Sequence, residues 1–136
     1  LTTSEKLFNN IIKKHGLLVD KVSTIKGFYK SSLNNKLKQN FKKRKIKASL
    51  VTIDCDLYES AIPVFKFLDD FLQEGTIIYL DDLFVGNKGN PDKGVAKAFV
   101  EYKKKSRWSF SRHMDVSWWG RTYITNKKTV KNINQI

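Results

Sequence analysis

The chain has one cysteine, Cys55, among 136 residues, so it closes no disulfide of its own and builds no cysteine-based zinc site. No apolar run is long enough for a membrane span or for the core of a signal peptide. The two histidines, His15 and His113, lie far apart and read as a helix-end and a strand-surface residue, not as a catalytic pair. Arginine is scarce: Arg44, Arg107, Arg112 and Arg121 are the four among 26 basic residues, and arginine is what direct base readout favours. The sharpest basic run, Lys42-Lys43-Arg44-Lys45, has no aromatic platform interleaved with it, which argues against a nucleic-acid site. No internal repeat is visible. The expectation from these absences is a cytoplasmic globular chain without membrane contact.

What is present bounds the rest. A length of 136 residues with 40% hydrophobic composition suits a single domain over 1–136, with a polar tail from residue 126 that is expected to fray. The formal net charge is +13, almost all of the excess being lysine. Two readings of it stand: a solvated lysine surface, or a binding surface for an anionic partner such as nucleic acid. The chain opens on Leu1 in what reads as the start of a helix, which suggests a fragment or a processed form.

Along the chain, residues 2–15 read as an amphipathic helix, with Thr2 and Glu5 at capping-box spacing and Leu7, Phe8, Ile11 and Ile12 on one face. Residues 21–29 (KVSTIKGFY) predict a strand. A lysine-rich segment follows, with Leu33, Leu37 and Phe41 at helical spacing. Residues 48–53 form a continuous apolar run, the pattern of a strand buried on both faces of a parallel sheet. Ser60 is placed to cap a helix with Pro63 in its first turn, burying Ala61, Phe65, Leu68 and Leu72 and ending at Gly75. Residues 76–80 predict the next strand. After a glycine- and asparagine-rich loop, a helix burying Val95, Ala96, Phe99 and Val100 leads to two antiparallel strands over 108–116 and 118–125.

Two carboxylate clusters occupy telling places in this order. Asp54-Cys55-Asp56-Leu57-Tyr58-Glu59-Ser60 follows the first apolar run, and Asp81-Asp82 follows the second. Strand, helix, strand requires the two strands to be parallel with their carboxyl ends at one edge, where open α/β sheets bind ligands. Aspartates after strands also cap helices and make turns. Four of them at neighbouring strand ends, two adjacent, repel one another unless a proton or cation compensates, and a hard divalent cation takes oxygen ligands of this kind. Cys55, pointing away from its flanking aspartates on an extended strand, reads as a small core residue.

The motif Asp54-Cys55-Asp56-Leu57-Tyr58-Glu59-Ser60 with Gly75 to Asp82 (GTIIYLDD) resembles the macrocin O-methyltransferase family, and more distantly catechol O-methyltransferase. The resemblance implies an α/β fold: a partial Rossmann-like methyltransferase sheet, mostly parallel with a carboxy-terminal antiparallel pair, helices on both faces, and the first strands of the full fold missing. It implies S-adenosylmethionine as methyl donor, Mg²⁺ or another divalent cation, and the hydroxyl of a sugar or related small molecule as acceptor. Matched residue by residue, Asp54, Asp81 and Asp82 fall on metal ligands, Asp56 on the general base, and Gly27, Phe28 and Tyr29 on the region that lines the cofactor. Catechol-type enzymes use a lysine three residues after the first ligand; here that position is Leu57. The family's glycine-rich cofactor turn and the acidic residue for the ribose are not present, so the expectation is that the chain carries the metal and acceptor half of the site and lacks most of the cofactor half. A bare sheet edge would follow, covered by a second copy in a homo-oligomer.

Overall fold

The computed structural model describes residues 4–16 and 18–128. The elements are helix α1 (Glu5–Lys14), a 3₁₀ turn (Val19–Lys21), helices α2 (Tyr29–Ser32) and α3 (Asn35–Lys43), strand β1 (Leu50–Ile53), helix α4 (Tyr58–Leu68), strand β2 (Ile77–Leu80), helix α5 (Gly94–Lys105), and strands β3 (Trp108–Val116) and β4 (Gly120–Lys127). They form an α/β structure with one four-stranded mixed sheet in the order β1-β2-β4-β3. The strand–helix–strand unit is borne out, with β1 parallel to β2. The expectation of a mostly parallel sheet is corrected: β2 pairs antiparallel with β4, and β4 antiparallel with β3. The closing hairpin turns back so that its second strand slots beside β2.

Register sorts the faces. Val51, Ile53, Ile78 and Leu80 share one face with Tyr123, and this face meets α4 and α5 through a core that includes Ala61, Phe65, Val95, Ala98 and Phe99. Phe65 lies 5.5 Å from Phe99 and stacks on Tyr102 at 5.0 Å, and Phe99 meets Tyr123 at 4.6 Å between ring centroids. The other face carries Leu50 and Thr52 beside Ile77 and Tyr79, and Leu50 is 66% exposed. Residues 48–53 therefore do not form a strand buried on both faces. β1 is an outermost strand whose alternate side chains face solvent, and the α4–α5 layer covers one face of the sheet.

Other local expectations shift for identifiable reasons. Residues 22–26 adopt no regular structure and Tyr29 begins a short helix, so the predicted strand over 21–29 is absent. β-branched residues favour strands only when a neighbouring strand accepts their backbone, and none does here. The cap of α1 is Ser4, whose hydroxyl accepts from the Leu7 amide; Thr2 lies outside the described residues. Asn34 caps α3 by accepting from Leu37, and Phe41 of that helix packs edge-on against Phe67 and Phe71. α4 starts at Tyr58, ahead of the Ser60 cap, which puts Pro63 inside the helix beyond its first turn. α4 closes at Leu68 instead of running to Gly75. β4 extends through Lys127, past the expected start of the tail, and residues 129–136 lie outside the described set.

The amino-terminal end of the sheet is sewn by two threonines. Thr76 accepts from the Gln73 amide at 3.0 Å and donates to the Ala48 carbonyl at 2.6 Å, while Thr125 donates to the Gln73 carbonyl. The Gly75 amide donates to the Thr125 carbonyl. Asp70 gathers Lys38 at 2.9 Å and Lys42 at 3.2 Å, so part of the basic segment is spent inside the fold. No helix among the described residues is long and apolar enough to cross a membrane. Truncating the ring at the centre of the core, Phe65→Ala, is expected to lower unfolding free energy by about 3–5 kcal/mol. Urea unfolding followed by circular dichroism measures it; a loss below about 1 kcal/mol would contradict the packing described.

Candidate functional site

The site is made by continuing the β1–β2 ladder one step. The Asp81 amide donates to the Ile53 carbonyl at 3.0 Å, so the residue after β1 and the two after β2 emerge together at the carboxyl ends of the parallel pair. One carboxylate oxygen from each of Asp54, Asp81 and Asp82 lies within 4.8 Å of the other two. That spread suits octahedral coordination, whose metal–oxygen distances of about 2.0–2.1 Å place ligand oxygens about 3–4 Å apart.

The electrostatics are uncompensated. Among the described residues no lysine or arginine forms an ion pair with Asp54, Asp56, Asp81 or Asp82; the cations pair instead with Asp20, Asp69, Asp70, Glu74 and Asp115. Asp82 Oδ2 is buried with no hydrogen-bond partner, a costly condition for a carboxylate oxygen. Burial, then the charge of Asp56 and a hydrogen bond shared with it, then the charges of Asp54 and Asp81, push the Asp82 carboxyl up to about 6. A cluster of hard oxygen donors containing an orphaned oxygen fits a divalent cation.

The neighbours define what else the site does. Burial and the charges of Asp82, Asp54 and Asp56 push the Cys55 thiol up to about 11, so it stays protonated near neutrality and is no nucleophile. Asp56 is exposed beside Asp82, and its carbonyl lies 3.8 Å from where a Cβ on Gly94 would sit, at a left-handed φ of +54° that suits glycine. Tyr58 turns away from the carboxylates and donates to Glu101 at 2.8 Å. Tyr29 lies near Asp54 and Cys55, whose charges, after burial, raise its phenol above the ordinary value. Gly27 lines a separate cavity of about 530 Å³ with Ile25, Lys26, Ser31 and Asn40, and Phe28 is 88% exposed. Gly27, Phe28 and Tyr29 thus do not converge on one enclosed site among the described residues.

Two side chains touch Asp81 in a way the sequence does not specify, although a tryptophan of the closing strands is a candidate for the border of the pocket. Tyr79 donates a short hydrogen bond to Asp81 Oδ1, and Trp119 Nε1 lies 3.1 Å from both that oxygen and the Tyr79 hydroxyl. Tyr79 had a signal in the sequence, because a strand residue two before Asp81 points to the same side; Trp119 had none for this contact. The sequence matches the family model of Macrocin-O-methyltransferase (TylF) over residues 1–120, most of the chain. This chain belongs to the macrocin O-methyltransferase family. No match to an individual curated protein accompanies it. The family is one of O-methyltransferases, which implies S-adenosylmethionine as the methyl donor, and its match spans both carboxylate clusters.

The raised Asp82 carboxyl predicts an unusual pH dependence. Between its unfolded value near 3.8 and about 6 the folded chain holds a proton that the unfolded chain has released, so metal-free stability falls as pH rises through this window. Relative to Asp82→Asn, the parent chain is expected to lose about 2 kcal/mol between pH 4 and pH 7. Chemical denaturation in the presence of a chelator at both pH values measures the difference, and parallel pH profiles for the two chains would refute it.

Proposed function

We propose that the chain carries the metal and acceptor side of an O-methyltransferase site, acting on a hydroxyl of a sugar or related small molecule. The observation that carries this reading is the convergence of Asp54, Asp81 and Asp82 within 4.8 Å, without a cationic partner among the described residues, in a chain of this family. In the proposal these three residues hold a divalent cation such as Mg²⁺. When bound, such a cation polarises an acceptor hydroxyl and lowers its pKa. Asp56, exposed at the rim, is the base that takes the hydroxyl proton, close to Asp82 and outside the trio of ligands. Leu57 supplies no competing ammonium at the position where catechol-type enzymes carry lysine. Of Gly27, Phe28 and Tyr29, only Tyr29 has a position that supports contact with a donor at these carboxylates.

We take the sheet as part of a Rossmann-like methyltransferase sheet, supported by the parallel β1–β2 pair and by the carboxylates at its carboxyl ends. The open side of β1 supports a second copy of the chain as its cover, and the lone thiol of Cys55 suits a reducing, cytoplasmic setting.

Titration calorimetry with Mg²⁺ separates the proposed roles. Asp81→Asn and Asp82→Asn are each expected to weaken binding at least tenfold, while Asp56→Asn stays within about threefold of the parent chain. Equal affinities for the parent chain and Asp81→Asn would remove the metal site. Loss of binding in Asp56→Asn as severe as in Asp81→Asn would remove the distinction between base and ligand.

A further inference from the structure

We infer that Tyr79 and Trp119 are positioning residues for the Asp81 carboxylate, holding it in a single orientation ready for a cation; the inference rests on the metal reading proposed above. The geometry is specific. The Tyr79 hydroxyl has one proton and gives it to Asp81 Oδ1. The Trp119 indole N–H is shared at 3.1 Å between the same carboxylate oxygen and the Tyr79 oxygen, so the three groups close into a small ring of hydrogen bonds. Both donors are neutral. They relieve crowding of the anionic cluster without cancelling the charge that a cation needs, as a lysine in their place would.

The surrounding backbone is shaped to keep this ring in place. Trp119 lies in the β3–β4 connection, one residue before Gly120 begins β4. A Cβ at Gly120 would stand 2.5 Å from the Tyr79 ring, 2.8 Å from its hydroxyl and 2.9 Å from the Leu80 carbonyl, distances no side chain tolerates. The absence of a side chain at Gly120 is thus what lets the Tyr79 phenol lie across β4 toward Asp81. On the far side, the Trp119 carbonyl accepts from the Phe84 amide at 2.9 Å, tying the loop that carries Asp82 to the same turn. A hairpin remote in sequence from both carboxylate clusters therefore sets the orientation of one of them. Hydrogen bonds of this kind to a ligating carboxylate are worth about ten- to a hundredfold in metal affinity. Trp118, 71% exposed and edge-on to Trp119 at 5.5 Å, makes no such contact and serves as the control.

Mn²⁺ is a suitable probe, because its binding is read both by calorimetry and by quenching of indole emission. Tyr79→Phe and Trp119→Phe, which each keep a ring and delete one donor, are expected to bind Mn²⁺ about tenfold more weakly while still unfolding cooperatively by circular dichroism. Mn²⁺ should dim the emission of the parent chain and of Trp118→Phe at similar concentrations, because Trp118→Phe is expected to keep the parent affinity. Parent-like affinity in either folded variant overturns the inference, and should Trp119→Phe not fold, the affinity of Tyr79→Phe decides it. Asp81→Asn run alongside separates the two levels: parent-like Mn²⁺ binding there, or none in the parent chain, sinks the metal reading itself and this inference with it.

Discussion

Mutual repulsion among Asp54, Asp56, Asp81 and Asp82 is the constraint around which the sheet is arranged. The chain carries a formal charge of +13, yet among the described residues none of its cations pairs with this cluster, and Asp70 and Asp115 collect lysines and arginines instead. Like charges crowded together at one sheet edge oppose one another unless a proton or a cation is present. The folded chain bears that cost through the rigidity of what lies beneath: two parallel strands locked in register and a two-helix layer packed on them. The stability of the core and the poise of the site are thus opposing terms of one balance.

That layer explains why the carboxylates stay together. Phe65 and Phe99, the largest fully buried side chains, join α4 and α5 to each other and, through Tyr123, to β4. Asp69 draws the far ends of the same helices together, accepting from Tyr102 and Ser106 and, through its carbonyl, from Trp108. The residues after β1 enter α4 directly, so any shift of α4 would move Asp54 and Asp56 as a pair. Asp81 and Asp82 are held by β2 and by the turn that presents Trp119.

What the sequence made legible was whatever depends on neighbours along the chain. The β-branched runs before Asp54 and Asp81, the helix between them and the closing hairpin were all readable, because local periodicity and turn chemistry determine them. Residues 21–29 were not, since a strand exists only where another strand receives it, and no pattern within nine residues reports that. Nor was the mixed character of the sheet: the placement of β4 between β2 and β3 depends on which strand of a hairpin finds a free edge. In the site, the convergence of Asp54, Asp81 and Asp82 followed from topology, whereas Trp119 lies 38 residues beyond Asp81 and only the folded hairpin brings its indole there.

The threonine stitching at the opposite end of the sheet has a mechanical meaning. Thr76, Thr125, Gly75, Gln73 and Ala48 are bound to one another there through side chain and backbone. At the carboxyl end, a backbone bond from the Asp81 amide to Ile53 closes the parallel pair, and one from the Phe84 amide to Trp119 ties the loop after β2 to the closing hairpin. The sheet is therefore fastened at both ends, like a frame braced at its corners. The carboxylates thus stand on a braced edge, and the backbone beneath them carries their crowding instead of letting them spread apart.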